Sequence, residues 1–191
     1  MSGGYATHVA GHAVTSLPRD VVDPASAAER TTETGLSAPM EPVVRLADDA
    51  DAAAIGRLLR DFNREFNEPT PDPEELAARM LQLLSLDTIV LLAGRGPDGV
   101  AVLRFRPAVW TQALECYLAE LYVAPAKRRQ GIGRALMLSA LDAARSRGAD
   151  RMDLGTSEDD RHAIALYESL GFTNRESGPD GPLTYFYERE L

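Results

Sequence analysis

The stretch Leu121-Tyr-Val-Ala-Pro-Ala-Lys-Arg-Arg-Gln-Gly-Ile-Gly-Arg-Ala-Leu136 decides how the rest of the chain is read. It opens as an apolar strand that ends near Val123. Pro125 stops that strand, because proline cannot donate to a sheet ladder. The basic run Lys127-Arg128-Arg129 follows, then Gly131 and Gly133, and then a helical pattern. A strand, a basic glycine-containing turn and a helix N-terminus together make an anion site. Glycine lets the backbone approach a ligand closely. The first N–H groups of the helix have no internal partners and point outward at the positive end of its dipole. Such a turn can cradle a phosphate or pyrophosphate.

Two common phosphate motifs do not fit. A P-loop is excluded, since no Gly-Lys-Ser/Thr follows the glycines. A dinucleotide fingerprint matches at Gly131-x-Gly133 but has Leu136 where the third glycine belongs. Asp150 and Asp153 lie about twenty residues on, the usual place for a ribose-binding acid. The Pro125–Gln130 segment is nevertheless too long and too basic for the tight first turn of that motif.

Arg128-Arg-Gln-Gly131-Ile-Gly133 has the spacing Gln/Arg-x-x-Gly-x-Gly/Ala. It is approached by Glu120-Leu-Tyr-Val123-x-Pro125 and followed, about forty residues later, by Ala163-Ile-Ala-Leu-Tyr167-Glu-Ser-Leu-Gly-Phe172. These motifs, in this order, resemble the GNAT-type N-acetyltransferase superfamily over roughly residues 43 to 189. The resemblance implies acetyl-CoA as co-substrate. It places the pantetheine arm along Leu121 and Val123 and the pyrophosphate at Arg128, Gly131 and Gly133, with Arg129, Gln130, Ile132 and Arg134 also binding the co-substrate. Asp160 stands where the family often has asparagine near the cofactor. A carboxylate can accept a hydrogen bond but not donate one.

The rest of the composition sets bounds. A chain of 191 residues suits one domain with a tail. Hydrophobic content of 45% and charged content of 26% are ordinary for a soluble globular protein. A net charge of −9 argues against a nucleic-acid surface and is compatible with a cationic substrate. Cys116 is the single cysteine, which rules out an internal disulfide and a cysteine-rich zinc site, and it reads as a small buried hydrophobe. No metal site is expected, the spacing of His8 and His12 lacking a helical setting. No apolar run reaches the length of a membrane span, and no secretory signal opens the chain, so a cytoplasmic protein is expected. Residues 1–40 lack a sustained period and read as a disordered tail, with residues 41–191 as the folded domain.

Within that domain, Pro42–Leu46 reads as a first strand. Asp48 and Asp49 can cap a helix with Ile55, Leu58, Leu59 and Phe62 on its apolar stripe. Glu65 and Glu68 read as part of a solvated loop. Asp72 caps a second helix with Pro73 at its first position. Thr88–Ala93 is a buried strand, Gly96–Gly99 a turn and Val100–Phe105 its hairpin partner. Trp110 is expected to pack in the next hairpin or to line an acceptor site. In Leu114–Val123, Leu114, Cys116 and Leu118 alternate, but Leu121 and Val123 are one residue out of phase, as a β-bulge would make them. A helix from Arg134 to Arg147, a strand at Arg151–Leu154, and a helix capped by Ser157 and Asp160 follow. Strands opening at Phe172 and spanning Leu183–Glu188 close the domain. The order β-α-α-β-β-β-α-β-α-β-β predicts an α/β (α+β) fold. Its sheet is mixed and mostly antiparallel, with about seven strands and helices on both faces, which is also the order the resemblance implies.

The chemistry of amine acetylation then assigns roles. An alkylammonium must lose its proton before it attacks a thioester, at about 4.6 kcal/mol near pH 7. A base removes that proton, and the departing thiolate takes a proton or hydrogen bond. Tyr167 occupies the position of the family's general acid in Leu-Tyr-x-x-x-Gly-Phe. Glu120, beside the expected bulge, is the candidate base, with Glu115 further up the strand. His162 reads as a solvent-facing helix residue. The implied function is transfer of an acetyl group to a primary amine by direct attack, the acceptor being a small cationic amine or a protein amine. A non-catalytic acetyl-CoA sensor is the alternative, and a homodimer is left open.

Overall fold

The computed structural model describes residues 42–187 and residue 189. The expected tail, residues 1–40, lies outside them. Strand β1 (Val44–Leu46) leads through a 3₁₀ turn, Asp49–Asp51, into helices α1 (Ala52–Glu65) and α2 (Pro73–Leu84). Three strands follow: β2 (Thr88–Ala93), β3 (Gly99–Pro107) and β4 (Leu114–Val123). A short 3₁₀ turn, Pro125–Lys127, precedes α3 (Ile132–Ser146), after which come β5 (Ala149–Leu154) and α4 (Arg161–Ser169).

The strands form one mixed sheet in the order β1-β2-β3-β4-β5. The first three pairings are antiparallel and β4 with β5 is parallel. Period-two alternation sends each strand's side chains to two separate cores. Val90, Leu92, Val100, Val102 and Tyr122 pack under Ile55 and Leu58 of α1 and Met80 of α2. Leu91, Ala93, Leu103, Cys116 and Leu118 pack under Leu136, Met137 and Ala140 of α3 and Tyr167 of α4. Helices therefore cover both faces, as the sequence predicts, and Cys116 is fully buried.

Local signals behave as their chemistry requires, with exceptions. Asp48 caps the 3₁₀ turn, its carboxylate accepting from the Ala50 N–H at 2.9 Å while Asp51 accepts from the Asp48 N–H at 3.0 Å. Asp72 precedes Pro73 as expected, but its side chain makes no capping bond. Trp110 does not pack in its hairpin; it is 91% exposed.

The strand count is the main correction: five strands are present among the described residues, where about seven are expected. Beyond α4, the expected last two strands are reduced to one antiparallel bridge, Arg175 with Leu183. It is flanked by bonds from the Glu176 N–H to the Pro182 carbonyl and from the Thr184 N–H to the Asn174 carbonyl. Neither segment joins the sheet. The connecting turn holds two prolines, which cannot donate, and the positive φ angles of Ser177 and Gly178. Tyr185, Phe186 and Tyr187 stay exposed, so little apolar burial offsets the entropy of ordering a longer ladder. No described helix is long and apolar enough to cross a membrane.

Candidate active site

The site is built where β4 changes partners. On its β3 side, Leu118 pairs with Leu103 and Glu120 with Val102, leaving Ala119 without a partner. Ala119 is the extra residue of a bulge, at the place the phase break in the sequence predicts. Because of it, Leu118 and Leu121 both pack on the α3 and α4 face, while Glu120 shares the opposite face with its partner Val102. On the other side, the last pair with β5 is Leu118 with Leu154. β4 then runs on to Val123 while β5 ends, so the two strands part at the bulge.

A pocket of about 250 Å³ opens in this gap. Leu118, Ala119, Glu120 and Leu121 line it from β4, Gly155 and Thr156 from the loop after β5, and Asp160 and Tyr167 from the α4 end. Phe62 and Phe66, at the end of α1, form the remaining wall. Sequence reading missed these two. Phe62 carries the core signal of a helix stripe and Phe66 sits in a polar loop segment, and neither points to a pocket without the tertiary packing.

The pocket brings together Tyr167 and Glu120, which lie 47 residues apart in the chain. Tyr167 is 8% exposed, with its ring edge-on to Phe172 at 6.0 Å. Burial, and then the nearby Asp160 charge, push its hydroxyl up to about 12. No hydrogen bond engages that hydroxyl among the described residues. Burial also raises the Glu120 carboxyl above the ordinary carboxylate range, and Arg104 pulls it partly back. Glu115 lies outside the pocket and is bonded to Arg106 at 2.7 Å. His162 is exposed.

The glycine turn lies at the far end of β4. Gly131 is the N-cap of α3 with φ +80°, a left-handed conformation that favours glycine, and no side chain among the described residues caps the helix. The first bond into α3 runs from the Ala135 N–H to the Gly131 carbonyl at 2.9 Å. The N–H groups of Ile132, Gly133 and Arg134 therefore have no partner among the described residues. Arg129 also has positive φ, +65°, which is unusual for a long side chain. It is exposed, with no ion-pair partner among the described residues. Gln130 reaches the Ala126 carbonyl only at 3.5 Å, and Arg134 donates to Ser169 of α4 at 3.1 Å. Arg128 is engaged differently, through Glu65 and Val123. Asp160 caps α4, its carboxylate accepting from the Ala163 N–H at 3.0 Å. Ser157, the other expected cap, instead accepts from the Asp159 N–H.

Residues 55–172, which hold the bulge, the glycine turn and Tyr167, match the Acetyltransferase (GNAT) family. The chain belongs to the GNAT acetyltransferase family. It is 32% identical over 145 residues to the uncharacterised N-acetyltransferase YjgM of Escherichia coli, covering 71% of this chain and 84% of that protein. It is 35% identical over 137 residues to the mycothiol acetyltransferase of Kineococcus radiotolerans, covering 70% of this chain but only 42% of that longer protein. The structure of a presumed acetyltransferase from Arthrobacter sp. FB24 superposes with a TM-score of 0.72 at 42% identity, covering 83% of this chain and all of that one. As a GNAT member the chain is an acetyltransferase enzyme, and the co-substrate of the family is acetyl-CoA.

Proposed function

We propose that this enzyme transfers an acetyl group from acetyl-CoA to a primary amine by direct attack, with Glu120 as base and Tyr167 as acid. The observation that supports this most strongly is the placement of those two groups in one pocket, Glu120 on the α1 and α2 face of the sheet and Tyr167 reaching in from the α4 face. A nucleophile deprotonated on one face can then meet an acyl group held from the other.

The residues fit the co-substrate. The unpartnered N–H groups of Ile132, Gly133 and Arg134, with the left-handed Gly131 and the uncommitted Arg129 beside them, suit a pyrophosphate. Gln130 flanks the same turn. The edge of β4 from Leu121 to Val123, which has no β5 partner, suits the amides of an extended pantetheine arm. Asp160 borders the pocket while capping α4. The thioester supplies an activated acyl group. Glu120 takes the ammonium proton, and its raised pKa brings it closer to the operating pH, where a base is most effective. Tyr167 stays neutral through the physiological range and so keeps a proton to place on the sulfur. The acceptor is a small cationic amine or a protein amine, and the reaction takes place in the cytoplasm.

Thiol release from acetyl-CoA in the presence of an amine panel tests the proposal. Turnover with at least one amine is expected. Tight acetyl-CoA binding with no turnover of any amine would make the chain a binding module.

A further inference from the structure

Arg128 and Glu65, 63 residues apart, are joined by two parallel bonds of 2.7 Å. We propose that this pair is a clamp that positions the acceptor-side wall of the pocket against the donor loop. Arg128 then acts through Glu65, as a positioning residue, and not as a side-chain ligand of the pyrophosphate. The inference rests on reading the pocket as the acetyl-transfer site.

Three observations carry it. First, all three guanidinium nitrogens are engaged. Nη1 and Nη2 hold the Glu65 carboxylate in the fork geometry that only arginine offers. Nε donates to the Val123 carbonyl at 3.0 Å, and the group lies 5.8 Å from the centre of the Tyr122 ring. Turning Arg128 toward a phosphate would break these bonds and leave the Glu65 carboxylate facing an anion. Arg129, next in the chain, is exposed and has no such commitment among the described residues.

Second, Glu65 is the last residue of α1, and the two wall residues Phe62 and Phe66 flank it in the chain. Phe62 lies 5.3 Å from Phe66 and 5.5 Å from Tyr122, ring centre to ring centre. Third, the chain turns away directly afterwards, with Asn67 at φ +57°. The clamp thus fixes the end of α1 to the end of β4, at the point where the wall stops being helical. A loosened clamp frees the wall without touching the uncapped end of α3.

The test is a double-mutant cycle of Glu65→Gln, Arg128→Gln and both together, with Arg128→Lys as a conservative control. Calorimetry gives acetyl-CoA affinity, steady-state kinetics gives the KM for the amine, and hydrogen exchange reports protection of residues 63–68. Each single variant should raise the amine KM by about fivefold, the scale of a partly exposed ion pair. The double variant should do no worse than either single one. Acetyl-CoA affinity should stay within about twofold, and protection of residues 63–68 should fall in all three variants. Arg128→Lys should not rescue them, since lysine lacks the fork. The exchange readout needs no turnover, so it stands or falls separately from the acetyl-transfer reading. A loss of acetyl-CoA affinity of about tenfold or more in Arg128→Gln, without one in Glu65→Gln, would make Arg128 a phosphate ligand and overturn the clamp. Unchanged protection of residues 63–68 would overturn it as well.

Discussion

Helices α3 and α4 both begin beside the candidate site, yet they begin in opposite ways. At α4, Asp160 turns its carboxylate onto the Ala163 N–H and satisfies one donor of the first turn from within the chain. At α3, a left-handed glycine opens the helix, no side chain among the described residues caps it, and no acid sits in its first turn. Orphan N–H groups are satisfied by a cap, by water or by a ligand. The self-capped helix is suited to holding a side chain still, and it carries Tyr167. The open one is suited to holding an anion. On this view α4 serves the transfer step and α3 serves donor affinity, and substitutions at the two ends should separate the two.

The largest effect should come from α4. Tyr167→Phe keeps the ring and its contact with Phe172 and removes only the hydroxyl. Single-turnover acetyl transfer should slow by about 10²–10⁴, while acetyl-CoA affinity barely moves. An undiminished single-turnover rate in the folded variant would leave Tyr167 as packing and blur the comparison.

At α3 the signature should reverse. A Cβ added at Gly131 would meet no atom beyond its chain neighbours closer than Pro42 Cγ at 3.9 Å. The left-handed backbone does not favour it, and a bound pyrophosphate would collide with it. Gly131→Val should weaken acetyl-CoA binding by at least about tenfold, because the side chain would stand where the pyrophosphate approaches the backbone, as read by calorimetry. Unchanged affinity would remove the turn as the anion site.

Asp160 sharpens the contrast on a smaller scale. Asp160→Ala should cost about 1 kcal/mol, a drop of about 2–4 °C in melting temperature, whereas Asp160→Asn, an equally good cap, should be close to neutral. If Asp160→Asn alters acetyl-CoA affinity at constant stability, Asp160 meets the co-substrate as well as the helix.

The smallest expected effect on stability is at Glu120, and there its sign is what matters. Burial raises the folded-state pKa of its carboxyl above the unfolded value. Its contribution to stability is thus full below the unfolded pKa and is lost as pH rises through the folded one. An ionised Glu120 at neutral pH is a net cost to the fold. Glu120→Gln should therefore raise the melting temperature at pH 7, with less gain at low pH, while slowing acetyl transfer. Thermal melts across pH with parallel rate assays check both; a destabilised Glu120→Gln at neutral pH would contradict the burial argument.

Much of this architecture is legible in the residues. The apolar run at Thr88–Ala93, the stripe from Ile55 to Phe62 and the glycine after a basic turn each point to one element, because period and backbone permission are local properties. The bulge is legible as well, since a single extra residue must flip the alternation after Leu118. The last two strands were not legible as they stand. Leu183 to Tyr187 has strand composition, but pairing needs a neighbour within reach, and composition does not supply one. Glu65 reads as a solvated loop acid because its partner, Arg128, is brought to it only by the fold.

The sequence by itself determined which groups exist and which local shapes they permit: a tyrosine on a helix, a carboxylate beside a bulge, and a helix that opens on a glycine. Only the tertiary structure decided which of them meet. Tyr167 and Glu120 share a pocket because β4 leaves β5 after Leu118, and Arg128 spends its charge on Glu65 because α1 ends against β4. These are distances through space between segments remote in the chain. They follow from how the two cores pack on the sheet, and no local pattern encodes them.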